Sequence, residues 1–212
     1  HTDEATFDIQ FGNLKRKVHR NTSWDEARFE SCGQKWMDVS EGHYGVSLLN
    51  DCKYGHSVKD SCIALTLIKS GIEPNPVTDQ EEHVFTYALY PHAGDWRCGT
   101  VQEAYRLNQP ALCAAGGEAG GTFSLADTSH TNVMLETVKR AEDGDGWIAR
   151  LYETDNARTE AALYWNRPIA SVEECNCLEE SKGGVAFEGN EIPFTIRPYE
   201  IKTFRIREKE EA

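Results

Sequence analysis

Apolar and polar residues alternate most clearly from Tyr44 to His56 (YGVSLLNDCKYGH), where Tyr44, Val46 and Leu48 share one face and the run stops at Asn50-Asp51. This pattern predicts a half-buried strand. The strand delivers Asn50, Asp51, Lys53 and Tyr54 together at its end, before Gly55, and functional side chains concentrate on loops held by such scaffolds. Upstream, Phe7, Ile9 and Phe11 alternate in Thr6 to Gly12, and Gln34 to Val39 (QKWMDV) forms another strand-like run. Ser61 to Lys69 (SCIALTLIK) is apolar on both faces, which predicts a central, fully covered strand. His83 to His92 (HVFTYALYPH) reads as a second deep strand, neighbour to the first across a long loop containing Pro74 and Pro76.

Helical spacing is rare. Val101, Ala104 and Tyr105 predict one short helix over Thr100 to Asn108, ending before Pro110, and Ser23 with Glu26 has the spacing of a capping box that could start a helical turn. Ala114 to Gly121 (AAGGEAGG) is a small-residue linker, placing a domain boundary between residues 1–113 and 122–212. Beyond it, NVMLETVKRA, WIARLYET, TEAALYWN, a stretch near Val172 to Leu178, VAFEG, IPFTIRP and EIKTFRI are short strands separated by turn signals such as Asp143-Gly144-Asp145-Gly146. Regular spacing of this kind predicts an antiparallel sandwich with Trp147, Leu163, Trp165, Phe194, Ile196, Phe204 and Ile206 as core residues. The fold class is all-β, and the tail REKEEA reads as a solvated charge run.

The 212 residues carry 22 Lys and Arg against 35 Asp and Glu, a net charge of -13. The acidic excess is shared, with 17 acidic and 11 basic residues up to Gly121 and 18 and 11 after it. Neither half is a basic footprint for nucleic acid. No apolar run approaches the length of a membrane span, and HTDEATFDIQ lacks the pattern of a secretory leader. The seven cysteines are odd in number, scattered and without a C-x-x-C pair, which predicts reduced thiols in a cytoplasmic protein rather than a disulfide framework or a zinc site.

Two further clusters carry candidate chemistry. His19, Arg20, Asn21 and Trp24 combine planar donors with an indole face, as a sugar site needs, and equally describe a solvated loop anchored by Trp24. Asp79 and His83 could pair as acid and base or ligate a metal, or could belong to a solvated acidic loop.

Several blocks, in order, carry a resemblance: DIQFG (Asp8 to Gly12), HRNTSWDEARF (His19 to Phe29), Lys35-Trp36, Asp38 to Glu41, YGVSLLNDCKYG (Tyr44 to Gly55), Asp79-Gln80, Glu82-His83, FTYALYPH (Phe85 to His92) and GDW (Gly94 to Trp96). Together they resemble the C-terminal part of the cytosolic and bacterial branch of the α-mannosidases of glycoside hydrolase family 38. The chain departs from that pattern at Lys17-Val18, where Pro-Thr is common, and at Glu81, where family members usually have Gly. A left-handed backbone at Glu81 would therefore be strained.

The resemblance implies that residues 1–113 are the C-terminal part of a large antiparallel β-sandwich, followed by a smaller one at 122–212. It implies a non-catalytic fragment of an enzyme that hydrolyses terminal α-linked mannose, since the carboxylate pair of a retaining glycosidase and the zinc ion lie on the family's N-terminal catalytic domain. No catalytic or metal-binding residue is expected in this chain. Its expected partners are its own catalytic domain and, through the parent enzyme, a mannose-containing oligosaccharide, with self-association also open; no nucleic-acid or membrane partner is expected. Asn50, Lys53, Tyr54, Asp79, His83, Arg20 and Trp24 are the candidates for loops reaching the sugar. The alternative is a free-standing carbohydrate-binding or structural β-sandwich module.

Overall fold

Antiparallel strands with two short helices build the structure, a computed structural model describing residues 2–60, 62–116 and 120–209. The chain divides into two compact units, His1–Ala114 and Ala115–Ala212. The first contains β1 (Glu4–Ile9), β2 (Gly12–Lys17), α1 (Ser23–Ala27), β3 (Ser31–Cys32), β4 (Trp36–Ser40), β5 (Tyr44–Asn50), β6 (Gly55–Lys59), β7 (Cys62–Thr66), β8 (Tyr87–Ala93) and α2 (Thr100–Asn108). A five-stranded antiparallel sheet has the order β2-β1-β4-β5-β8, and a three-stranded sheet the order β3-β6-β7.

Strand alternation divides the large sheet into two buried faces. Phe7, Met37 and Leu48 point to one side and form a core with Ala5, against which Val58, Ile63 and Leu65 of the small sheet pack. Trp36 and Leu49 point to the other, where Trp36 stacks on Trp96 with ring centroids 5.3 Å apart. Helix α2 packs on this second face of β4 and β5 and buries Thr100, Val101 and Ala104, as its spacing predicts.

That second face also seals a polar cluster. His92 Nε2 donates to Asp38 Oδ2 at 2.7 Å and Ser47 Oγ donates to the same oxygen at 2.8 Å, while Ser40 Oγ donates to Asp38 Oδ1 at 2.7 Å. Thr100 Oγ1 of α2 closes the cluster, 2.7 Å from Ser47 Oγ. Gly45 is required beside it, because a Cβ there would lie 2.7 Å from Ser40 Cβ and closer still to the His92 ring.

The structure corrects several expectations. The strand expected to run through Gly12 ends at Ile9, and Phe11 turns left-handed (φ 54°) to start β2, so it leaves the face of Phe7. A second helix, α1, joins the expected one; its capping box is Thr22 with Asp25, one residue before the expected pair. Ser61 lies outside the described residues, and the rest of the run expected to be central is β7, the edge of the small sheet. β8 is likewise the edge of the large sheet, paired with β5 rather than β7, and leaves Tyr87 57% and Leu89 67% exposed. β7 still packs Ile63 and Leu65 on the core, whereas among the described residues the Tyr87 and Leu89 face of β8 is left largely open.

The second unit contains β9 (Ala126–Thr128), β10 (Val133–Arg140), β11 (Trp147–Glu153), β12 (Thr159–Trp165), β13 (Ile169–Cys175), β14 (Ser181–Gly184), β15 (Glu191–Ile196) and β16 (Ile201–Glu208). Antiparallel sheets of order β10-β11-β16-β13-β14 and β15-β12-β9 sandwich one core. It includes Leu151, Leu163, Trp165, Ile192, Ile196, Phe204 and Ile206, with Trp147 and Phe194 partly buried against it. VAFEG forms no extended strand, although Val185 and Phe187 pack on the core. The tail is not wholly solvated. Arg207 and Glu208 belong to β16, where Arg207 pairs with Asp145 and Glu173 and Glu208 accepts from Trp165 Nε1 at 3.0 Å; residues 210–212 lie outside the described residues. Within the linker expected at 114–121, residues 117–119 also lie outside them.

Two stability predictions follow from the first unit. Gly45→Ala forces the added methyl into the His92 ring and should cost about 1–3 kcal/mol, read as a lower urea midpoint with an unchanged m-value; an unchanged midpoint would contradict the tight approach. Asp8 is buried, and that burial pushes its pKa up from 3.8 to about 6 against the opposing hydrogen bond from Lys35 N. The folded state therefore keeps a proton that the unfolded state releases, so Asp8's contribution to stability falls as pH rises from about 4 to about 6. Relative to wild type, Asp8→Asn should gain about 2–3 kcal/mol between pH ~4 and ~7.5 in denaturation experiments; a pH-independent difference would show that Asp8 titrates normally.

Candidate functional site

The polar turn after β5 is built from inside. Asn50 is fully buried: its Nδ2 donates to the Gln34 carbonyl at 2.8 Å, its Oδ1 accepts from Lys53 N at 2.7 Å, and its carbonyl accepts from Asn108 Nδ2 of α2 at 3.0 Å. Asn50 Nδ2 also lies 3.4 Å from His56 Nε2, while His56 Nδ1 lies 3.3 Å from the Tyr54 carbonyl. One consistent assignment makes Nε2 an acceptor and Nδ1–H a donor, and burial pushes the His56 pKa down, favouring this neutral ring. Asn50 thus shapes the turn and offers no free group to a ligand.

Its neighbours face outward. Tyr54 is 55% exposed, and Lys53 Nζ lies 4.9 Å above the Phe85 ring. Thr86 N donates to Asp51 Oδ2 at 2.9 Å, bringing the end of the long loop against this turn. Within that loop Asp79 and His83 do not meet through their side chains: His83 Nε2 donates to the Asp79 backbone carbonyl at 2.9 Å. Asp79, with φ 59°, is the loop's left-handed residue, so Glu81 escapes the strain expected from its replacement of Gly.

Arg20 sits elsewhere, on a cavity of about 310 Å³ shaped by β2, the segment leading into α1, and β6. Phe7, Val58 and the neutral His56 contribute to its wall, and Arg16, Arg20, Asp25 and Arg28 also line it. The Asp25 carboxylate accepts from Asn21 N and Thr22 N, each at 3.1 Å, and from Arg28 Nη2 at 2.7 Å; the Asn21 N–H foremost holds its pKa below the usual range. Trp24 does not anchor the loop. It is 82% exposed on a helix with no buried residue.

The sequence therefore places Lys53 and Tyr54 on one turn and Arg20 on a cavity, with buried His56 touching both features. Arg16, Asp25, Arg28 and His56 were not singled out from the sequence. The period-two spacing of Leu14, Arg16, Val18 and Arg20 is the signal that could have found the first. His56 carries no such signal, because its role arises from contacts with Asn50 and Tyr54. Among the described residues no three His, Cys, Asp or Glu side chains converge to hold a metal ion. All seven cysteines are free thiols.

Comparison with known proteins decides the family. Residues 1–77 match the model of the "Glycosyl hydrolases family 38 C-terminal domain", and residues 132–204 that of the "Glycosyl hydrolases family 38 C-terminal beta sandwich domain". The chain belongs to glycoside hydrolase family 38. Alpha-mannosidase 2C1 of Homo sapiens is 39% identical over 208 residues, and alpha-mannosidase G of Dictyostelium discoideum 40% identical over 216. These matches cover 94% and 95% of this chain but only 20% and 19% of the relatives. The chain thus spans about a fifth of their length. The crystal structure of an alpha-mannosidase from Enterococcus faecalis V583 has the same fold, with TM-score 0.77, 22% identity, and 96% of this chain matched to 24% of that one. The chain corresponds to the C-terminal region of family 38 α-mannosidases.

In this family 38 domain, Asn50→Ala should leave the Gln34 carbonyl, Lys53 N–H and His56 Nε2 short of a partner inside the protein. A cost of about 2–4 kcal/mol is expected by urea denaturation. A cost under about 0.5 kcal/mol, the range of ordinary surface substitutions, would show that the turn does not depend on Asn50.

Proposed function

We propose that this chain is the non-catalytic C-terminal β-domain of a cytoplasmic α-mannosidase acting on terminal α-linked mannose, where it braces the catalytic domain and contributes loops near the sugar. The family match supports the enzyme class. The observation that carries the contact role is α1: none of its five residues is buried, yet it presents Trp24 at 82% exposure. An indole that anchors nothing within its own unit suits a surface outside it.

In this reading Trp24 and Arg20 form one contact region. Lys53, Tyr54, Asp79 and His83 supply donors, acceptors and an aromatic face at another, with Asn50 holding the turn beneath Lys53 and Tyr54. The carboxylate nucleophile, the acid/base carboxyl and the zinc ion belong to the catalytic domain. This chain's residues orient and cover that site and exclude water from it. The seven free thiols are compatible with a reducing compartment.

Trp24→Ala, made in the polypeptide that includes the catalytic domain, should lower its stability by about 1–3 kcal/mol or its kcat/KM on an aryl α-mannoside about tenfold. The same substitution should move the stability of the 212-residue chain by less than about 0.5 kcal/mol. If both stability and kinetics of the longer polypeptide are unchanged, Trp24 makes no such contact.

A further inference from the structure

We propose that the cavity formed by β2, the approach to α1, and β6 binds an oxyanion, the phosphate or carboxylate group of a sugar, through Arg16 and Arg20. The inference rests on the α-mannosidase reading and adds a charged class of ligand to it. Its starting point is an imbalance of charge. The chain has 35 acidic and 22 basic residues, and most cations at this cavity have carboxylate partners: Lys17 pairs with Asp3 and Glu4, both at 2.9 Å, Lys15 lies 3.6 Å from Glu4, and Arg28 pairs with Asp25 at 2.7 Å. Among the described residues Arg16 and Arg20 have none, although both line the same cavity.

Arg16 is held from behind. Its Nη2 donates to the Cys32 carbonyl at 3.4 Å, and its guanidinium carbon lies 5.5 Å from the centre of the Phe7 ring. Its charge is thus positioned by a neutral oxygen and an aromatic face but is not neutralised. Asp25 cannot serve both arginines well, because its oxygens already accept from Asn21, Thr22 and Arg28. A neutral pyranose would account for the planar donors and the apolar wall of Phe7 and Val58, but not for two guanidinium groups without counter-charge. A phosphate or carboxylate accounts for both, since guanidinium groups bind these groups through paired, charge-assisted hydrogen bonds. The volume of about 310 Å³ is of the size that holds a small ligand.

The test uses the longer polypeptide that includes this chain, titrated calorimetrically with mannose 6-phosphate, inorganic phosphate and mannose. Saturable binding of mannose 6-phosphate is expected, weakened at least tenfold by Arg16→Gln and by Arg20→Gln and less by Arg20→Lys, and falling as salt rises. Inorganic phosphate separates the sources: binding at equal strength assigns the site to a free oxyanion, and weaker binding at the same residues assigns it to a sugar that carries one. Thermal melts confirm that each variant folds. Absence of binding by both phosphate probes, or binding indifferent to both glutamine substitutions, overturns the inference, as would a site already filled by a carboxylate from the rest of the polypeptide. Hydrolysis of a neutral aryl α-mannoside is measured in parallel. Hydrolysis without oxyanion binding defeats this inference alone, whereas oxyanion binding without hydrolysis defeats only the proposed activity.

Discussion

Asp38 and His92 lie 2.7 Å apart with side chains 1% and 2% exposed, and much of the first unit is arranged to make that burial tolerable. A carboxylate removed from water is costly unless its oxygens are hydrogen-bonded. Here the donors come from β4, β5 and β8, as Ser40, Ser47 and His92, while Thr100 of α2 closes over Ser47. Gly45 must lack a side chain for the ring to fit. The cluster therefore fixes strand register and the seat of α2 together, since a slip of one residue would put these polar groups on the wrong face. Its Asp-His-Ser composition resembles a hydrolytic triad in residue type only: Ser47 is fully buried and donates to the carboxylate, so it has no access to a substrate.

The same strand ends on a second internal polar group, Asn50, which shapes the turn presenting Lys53 and Tyr54 and contacts the buried His56 of the cavity wall. Buried hydrogen bonds set the geometry, and side chains projecting from it remain available to partners. Trp24, Tyr87 and Leu89 show the consequence. They are large, exposed and unexplained by this unit's own core, which accords with a chain spanning about a fifth of its relatives. The second unit differs in kind, with one apolar core between two sheets and charge pairs such as Arg205 with Asp143 near its rim.

Periodicity made much of this legible. Tyr44, Val46 and Leu48 mark β5, and Val101, Ala104 and Tyr105 mark α2 within its observed bounds. Most strands of the second sandwich are visible as short apolar runs bounded by turn signals, and β15 as a near-alternation of buried and exposed positions. Periodicity failed for β7 and β8, whose apolar residues suggest deep strands but lie at sheet edges. Hydrophobicity records that a face suits a cover, not which part of a polypeptide provides it. The polar sites were less legible still. Asp38 and His92 are 54 positions apart, and no local pattern announces that they meet. Asn50 was visible as a polar residue at a strand end, but its burial depends on Gln34, His56 and Asn108, each supplied by another segment. The ordered blocks from Asp8 to Trp96 carried the family resemblance; the contact roles of Arg20, Lys53, Tyr54, Asp79 and His83 require the domain around them.

The role proposed for this chain is to support α-mannoside hydrolysis without performing it. The direct measurement compares aryl α-mannoside turnover by the 212-residue chain with turnover by the longer polypeptide that includes it, both supplied with zinc. Hydrolysis by the longer polypeptide and none by the chain above the uncatalysed rate is the predicted result. Turnover by the folded chain alone would contradict the account.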